Sequence, residues 1–252
     1  MLKQTSVTIL TKNSQKYLKQ CLDSLNSFDE IIILDNGSTD NTIDIASKYP
    51  NVKIVKHHFI GFGPLKNLAT SFTKHEWILN IDSDEIVSEE LVNEIKKLIP
   101  KKNYIYSIPR HNYYKNRLIK CCGWYPDKVL RIYNKHHTNY NTHMVHESLI
   151  KNDNTIIQNL SSPIIHHSYD SIEQLLEKLQ RYTILWAKNN KKKSSPFKAL
   201  MHALFAFLKN YFLQKGFLYG YEGLLISVTN ANHVFYKYMK LYELQKFQKH
   251  SE

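Results

Sequence analysis

Cysteine is scarce in this 252-residue chain: Cys21, Cys121 and Cys122 make an odd set of three with no C-x-x-C pair. Neither a disulfide framework nor a zinc site is indicated, and a reducing cytoplasm fits best. Cys21 falls in the apolar periodicity of the first expected helix and reads as a small core residue. No hydrophobic segment precedes the first expected strand, so secretion is not expected. Every apolar run is interrupted by Lys, Gln or Asn before it reaches bilayer-spanning length. Acidic residues are also in deficit, 22 Asp and Glu against 34 Lys and Arg, for a net charge of +12. That surplus favours an anionic partner such as nucleic acid, a phosphate-bearing sugar or an acidic membrane surface, without choosing among them. No internal repeat is visible, and the length suits one α/β core with an appendage.

What is present is an alternation of strand and helix patterns. Short apolar runs at 7–11, 30–35, 52–55 and 77–81 read as strands. Between and after them, three- and four-residue spacing of apolar positions predicts helices over 14–25, 41–49, 65–72 and 88–99. Gly61, Gly63 and Pro64 read as a flexible loop before the third helix. Strands with polar carboxyl ends, separated by helices, describe a parallel sheet with its site along one edge. Further on, 104–108 and 129–133 are β-like, 171–188 is helical, and the basic stretch 188–196 reads as a linker. Residues 197–221 form an aromatic-heavy surface with Lys198, Lys209 and Lys215 at its margins. Two readings of it stay open: an interfacial membrane segment, or helices packed on the core or a second copy.

The chemistry-bearing residues gather at the expected strand ends. Asp82-Ser83-Asp84-Glu85 closes the run Trp77–Ile81, and paired carboxylates at a strand mouth suit a divalent cation on phosphate oxygens. An isolated D-x-D is weak evidence, since surface turns produce it by chance. A second acidic loop strengthens it: Asp35 ends the run from Glu30 and is followed by Asn36-Gly37-Ser38-Thr39-Asp40-Asn41-Thr42, dense in turn formers, with Asp40 placed to cap the next helix.

In their order and spacing, Val7–Asn13, Asp35–Thr42 and Asp82–Glu85 resemble the nucleotide-sugar half of a family 2 inverting glycosyltransferase. Gly61–Ala69, Gly123-Trp124-Tyr125-Pro126-Asp127, Arg131 and His146-Glu147 are similar to the bacterial branch that includes lipopolysaccharide core β-1,4-glucosyltransferases. The resemblance covers roughly residues 5–190 and implies a GT-A fold, a Rossmann-like mostly parallel sheet flanked by helices. It implies a catalytic domain over 1–190, with a nucleotide-sugar half to about 100 and an acceptor half beyond it, followed by a helical extension over 191–252. It further implies that Thr11, Asn13, Asp35, Lys66 and Asp82 meet a UDP-sugar. Asp84 and the late His166 would hold Mg²⁺ or Mn²⁺, and Glu147 or Asp127 would be the base for the acceptor hydroxyl, with Glu147 preferred.

Each role has a plainer alternative. Lys66 reads equally as a solvated helix residue, His166 as a structural histidine, and either acid as a salt-bridge partner of Arg131 or Arg110. The expected acceptor is a lipid-anchored saccharide, met from the inner face of the cytoplasmic membrane by peripheral contact. A nucleic-acid module would show basic stripes interleaved with aromatics where this chain has acidic loops, so nucleic acid is not expected. A nucleotidyltransferase would carry glycine in the loop after the first strand, where Thr11-Lys12-Asn13-Ser14-Gln15 has none. The transferred hexose, glucose being the first candidate, and the oligomeric state are not fixed by any motif.

Overall fold

The computed structural model describes residues 1–143 and 147–248. His146, half of the His-Glu pair noted above, lies outside the described residues. The chain divides into two units, one of Met1–His111 with Asp127–His167, the other of Asn112–Pro126 with everything from Ser168 onward.

In the first unit, strands β1 (Thr5–Thr11), β2 (Ile31–Asp35), β3 (Val52–Lys56) and β4 (Trp77–Asp82) are parallel in the order β3-β2-β1-β4. Strands β8 (Lys128–Asn134) and β6 (Tyr104–Tyr114) continue the sheet antiparallel, and β9 (Ile156–Asn159) pairs parallel with β6. Pleat alternation explains the layering. Val7, Ile9, Ile31, Ile33, Leu79 and Ile81 point to one face, where they meet α1 (Gln15–Ser24) and α4 (Glu89–Lys97). Leu10 and Leu34 point to the other, against Leu65 and Ala69 of α3 (Phe62–Ser71). The Ser88 hydroxyl accepts from Leu91 N at 3.1 Å, with acids in the first turn of α4 and lysines in its last, so that helix begins and ends where its sequence directs.

Three expectations need correction. The Gly61–Pro64 stretch is not a loop: α3 starts at Phe62, with Gly61 at φ 109 as its cap and Pro64 in its first turn, where a missing N–H costs nothing. Gly63 sits there because a Cβ would stand 1.9 Å from the Asn141 carbonyl oxygen. The acidic loop is shorter than its sequence suggests, because Glu85 opens a strand, β5 (Glu85–Val87), paired antiparallel with β10 (Ile164–Tyr169). The helix expected over 41–49 is reduced to α2 (Thr42–Ala46).

The second unit holds the short β7 (Arg117–Leu118), α5 (Ile172–Lys188), α6 (Pro196–Leu208), a π-helical turn (Lys209–Leu213) and the long α7 (Gly220–Gln248). The basic stretch before α6 is tied down rather than free: Ser194 Oγ donates to Tyr238 O at 2.7 Å and Gln245 Nε2 to Lys192 O at 2.7 Å. No helix of the described residues is long and apolar enough to cross a membrane.

Candidate active site

The strand order 3-2-1-4 reverses direction between β1 and β4, and in such sheets ligands bind outside the carboxyl ends at that crevice. Register brings the expected residues level there: Thr11 pairs with Asp35 and Leu10 with Asp82. The loops beyond are laced together. Asn13, at φ 53, accepts from Thr39 N through its Oδ1 at 2.8 Å, and Ser14 N donates to Thr42 Oγ1 at 2.7 Å. Ser14 and Ser83 hydroxyls lie 2.8 Å apart, joining the first loop to the D-x-D turn.

Asp35 is buried and heavily engaged. Its Oδ2 accepts from Gly37 N and Ser38 N, both at 3.0 Å, and its Oδ1 from Thr11 Oγ1 at 3.2 Å and from the Ser38 hydroxyl. A carboxylate has about four lone-pair sites, so all are in use and Asp35 pegs the loop. Asp40 accepts from Thr42 N at 3.0 Å, capping the helix from one position earlier than a standard cap.

The central feature is a chain of alternating charges. Asp127 pairs with Arg110 at 2.8 Å, and Arg110 with Glu85 at 3.3 Å. Glu85 pairs with Arg131, and Arg131 with Asp82 at 2.6 Å. Asp82 lies 3.7 Å from Lys66, which reaches Glu147 at 2.8 Å. Burial alone would raise the Asp82 carboxyl; Arg131, Lys66 and Arg110 outweigh it and hold Asp82 well below the usual carboxylate range. Burial likewise disfavours the Arg131 cation, and Asp82, Glu85 and Tyr140 more than offset it.

Local sequence explains how these side chains arrive. Asn80 and Asp82 share one pleat face of β4, and Arg131 Nη1 donates to Asn80 Oδ1 at 3.2 Å. Glu147 is carried on the segment after β8. Asn67 anchors that segment to α3: its Nδ2 donates to Tyr140 O at 2.8 Å and its Oδ1 accepts from Tyr140 N at 2.9 Å. Lys66 is therefore not a solvated residue; it is buried, with its ammonium 5.0 Å from the centre of the Tyr140 ring.

Asp84 stands apart from this chain. Its Oδ2 is 3.5 Å from His166 Nε2, and its carbonyl oxygen accepts from His167 N at 3.1 Å. Two donors at metal–ligand distances of about 2.1 Å and angles between right and tetrahedral stand roughly 3.0–3.5 Å apart, so this pair fits two positions on one cation. Among the described residues no group of three or more His, Cys, Asp or Glu forms a metal cage. A two-residue protein set matches cations that take their remaining ligands from phosphate and water.

Sequence reasoning assigned no role to Glu85, which proves fully buried and central to the charge chain. The signal for it was the return of apolar Ile86 and Val87, which marks Glu85 as the first residue of a strand. Tyr140 was missed for want of any local motif, whereas Arg110, named from the sequence only as an alternative salt-bridge partner for an acid, takes that place beside Asp127.

Comparison with known proteins decides the family. Residues 6–152 match the family profile described as Glycosyl transferase family 2. The chain belongs to that family. An uncharacterized glycosyltransferase of Rickettsia typhi is 32% identical, spanning 96% of this chain and 88% of that protein. The lipopolysaccharide core biosynthesis glycosyltransferase LpsC of Rhizobium meliloti is 24% identical, spanning 94% of this chain and 92% of that protein. Among solved structures, S. aureus TarS 1–349 in complex with UDP-GlcNAc matches at 16% identity and a TM-score of 0.46, covering 97% of this chain and 92% of that one. This family 2 glycosyltransferase has the mixed α/β, mostly parallel sheet of the GT-A class.

Proposed function

We propose that this glycosyltransferase moves a hexose, with glucose the first candidate, from a UDP-sugar to a lipid-anchored glycan of the lipopolysaccharide inner core, with inversion. The observation that carries the reading is the Lys66 ammonium, 2.8 Å from Glu147 and 3.7 Å from Asp82, which ties the candidate base to the donor end of β4. The relation to LpsC supports the acceptor class.

In this reading Thr11, Asn13 and Asp35 build the nucleotide loop and Asp82 faces the ribose. Asp84 and His166 hold Mg²⁺ or Mn²⁺, which when bound offsets the charge of the leaving diphosphate. Glu147 takes the proton of the acceptor hydroxyl, whose oxygen forms the new bond to the anomeric carbon. The bond from that carbon to the diphosphate breaks and its electron pair leaves with UDP. Lys66 orients the Glu147 carboxylate, while Asp127 is held at the far end of the charge chain by Arg110. The half of the chain after about residue 100, up to 190, meets the acceptor, and residues 197–221 of the extension over 191–252 hold the enzyme at the inner face of the cytoplasmic membrane.

The test is UDP release from a panel of UDP-hexoses, with and without divalent cation and a core glycolipid acceptor. Acceptor-stimulated release supports the reading. An unchanged glycolipid mass in a deletion strain overturns the acceptor assignment.

A further inference from the structure

Helix α6 turns its bulk the wrong way for a helix that serves only the interior. Ala199 and Ala203 are buried, whereas Phe197, Leu200, Leu204, Phe205 and Leu208 are exposed, Phe197 by 73%. Those positions recur at three- and four-residue intervals and form one stripe, continued by Leu213 at 76% exposure in the π-helical turn. An apolar face of this extent marks an interaction site.

The charge around the stripe indicates what covers it. Between Glu177 and Glu222 there is no acidic residue, while nine Lys and Arg occur. Beside the stripe, a cavity of about 460 Å³ is lined by His202, Phe205, Lys209, Asn230, His233 and Lys237, with Gln214 and the Cys122-Gly123 turn among the rest. It has donors and cations on its walls and no carboxylate. Burial, then Lys237 and Lys240, pull the His233 imidazole below its ordinary value; burial, then Lys192, does the same to Lys237. The Lys237 ammonium thus faces no lining carboxylate and stands over the Trp186 and Tyr238 rings at 5.1 and 5.6 Å, and Phe205 belongs to both the cavity wall and the exposed stripe.

We propose that this cavity receives the phosphate of an anionic phospholipid headgroup while the outer stripe of α6 lies on the same leaflet. The proposal rests on the membrane-surface reading above and adds to it a defined headgroup site. Aromatic and aliphatic side chains enter the interface, and the cavity cations meet the phosphate layer next to them.

Flotation of the full chain tests it, using phosphatidylcholine vesicles with and without phosphatidylglycerol. The wild type is expected to float with the anionic vesicles, and less so at high salt. Leu204→Glu should remain at the bottom. Lys209→Gln with Lys237→Gln should lose about tenfold or more in partitioning, at roughly 1 kcal/mol per charge. The linker pair Lys191→Gln with Lys193→Gln removes the same charge and should lose less. Equal losses from the two pairs mean diffuse attraction and overturn the headgroup site while leaving the membrane reading intact. No flotation by the wild type overturns both. A wild-type dimer that Leu204→Glu converts to monomer, or inorganic phosphate binding in the cavity without any vesicle binding, overturns the lipid assignment. Thermal melts of each variant must match the wild type; if Lys237→Gln unfolds the chain, Lys209→Gln alone, at an exposed position, is compared with Lys191→Gln.

Discussion

Lys66 Nζ lies 2.8 Å from Glu147 Oε1, and both side chains are largely withdrawn from solvent. The pair joins a helix on one face of the sheet to the segment that follows β8, and its stability cost and catalytic role can be separated by substitution.

Removing the ammonium leaves Glu147 and Asp82 without a shared cation. Breaking a buried pair from one side costs roughly 3–5 kcal/mol. Lys66→Met is expected to lose stability on that scale in urea unfolding, and adding Glu147→Gln should return part of it, since contacting residues are not additive. A single-variant loss below about 0.5 kcal/mol, the scale of an ordinary surface substitution, would show that the pair holds nothing together.

For the base, Glu147→Gln should keep UDP-sugar affinity while transfer falls by about 10²-fold or more. Asp127→Asn should act mainly on stability, because it releases Arg110. The reverse pattern in transfer rates exchanges the two roles.

Asp84→Ala should abolish the dependence of UDP affinity on divalent cation, read by calorimetry with and without chelator. His166→Ala should weaken it and shift the preference from Mn²⁺ toward Mg²⁺, since imidazole favours the former. Cation-dependent affinity that survives both changes would remove this pair from the metal site.

Acid should expose the charge chain. Asp82 in the folded chain titrates well below the roughly 3.9 of an unfolded aspartate, so its contribution is complete above about pH 4 and fades as pH falls toward its folded value. The stability advantage of wild type over Asp82→Asn should therefore shrink from pH 5 to pH 2.5. A constant difference would mean that Asp82 titrates as an ordinary surface carboxylate.

Much of the sheet was legible because its cues are local. The parallel strands announce themselves by unbroken runs such as Ile31–Leu34, and α4 by Ser88 with its acids. Strand β10 was not, because Ile164–Tyr169 reads as a polar stretch after two apolar residues and becomes a strand only through pairing with β5. That Asp35, Asp82 and Asp84 lie at or just past strand ends was legible from position, because each follows an apolar run. Arg110 could be named from sequence only as an alternative partner for an acid, because its place between Asp127 and Glu85 depends on partners 17 and 25 residues away in sequence. The same holds for Asn112–Pro126, which groups with the C-terminal helices by contact and carries no compositional boundary.

Because the charges alternate, each interior member answers to two neighbours, and no single replacement leaves the row balanced. Losing Arg131 sets Asp82 against Glu85; losing Glu85 sets Arg110 against Arg131. Evolutionary drift along this row should accordingly come in blocks, with a neutral residue at position 85 tolerated only in relatives that have also changed position 110 or 131.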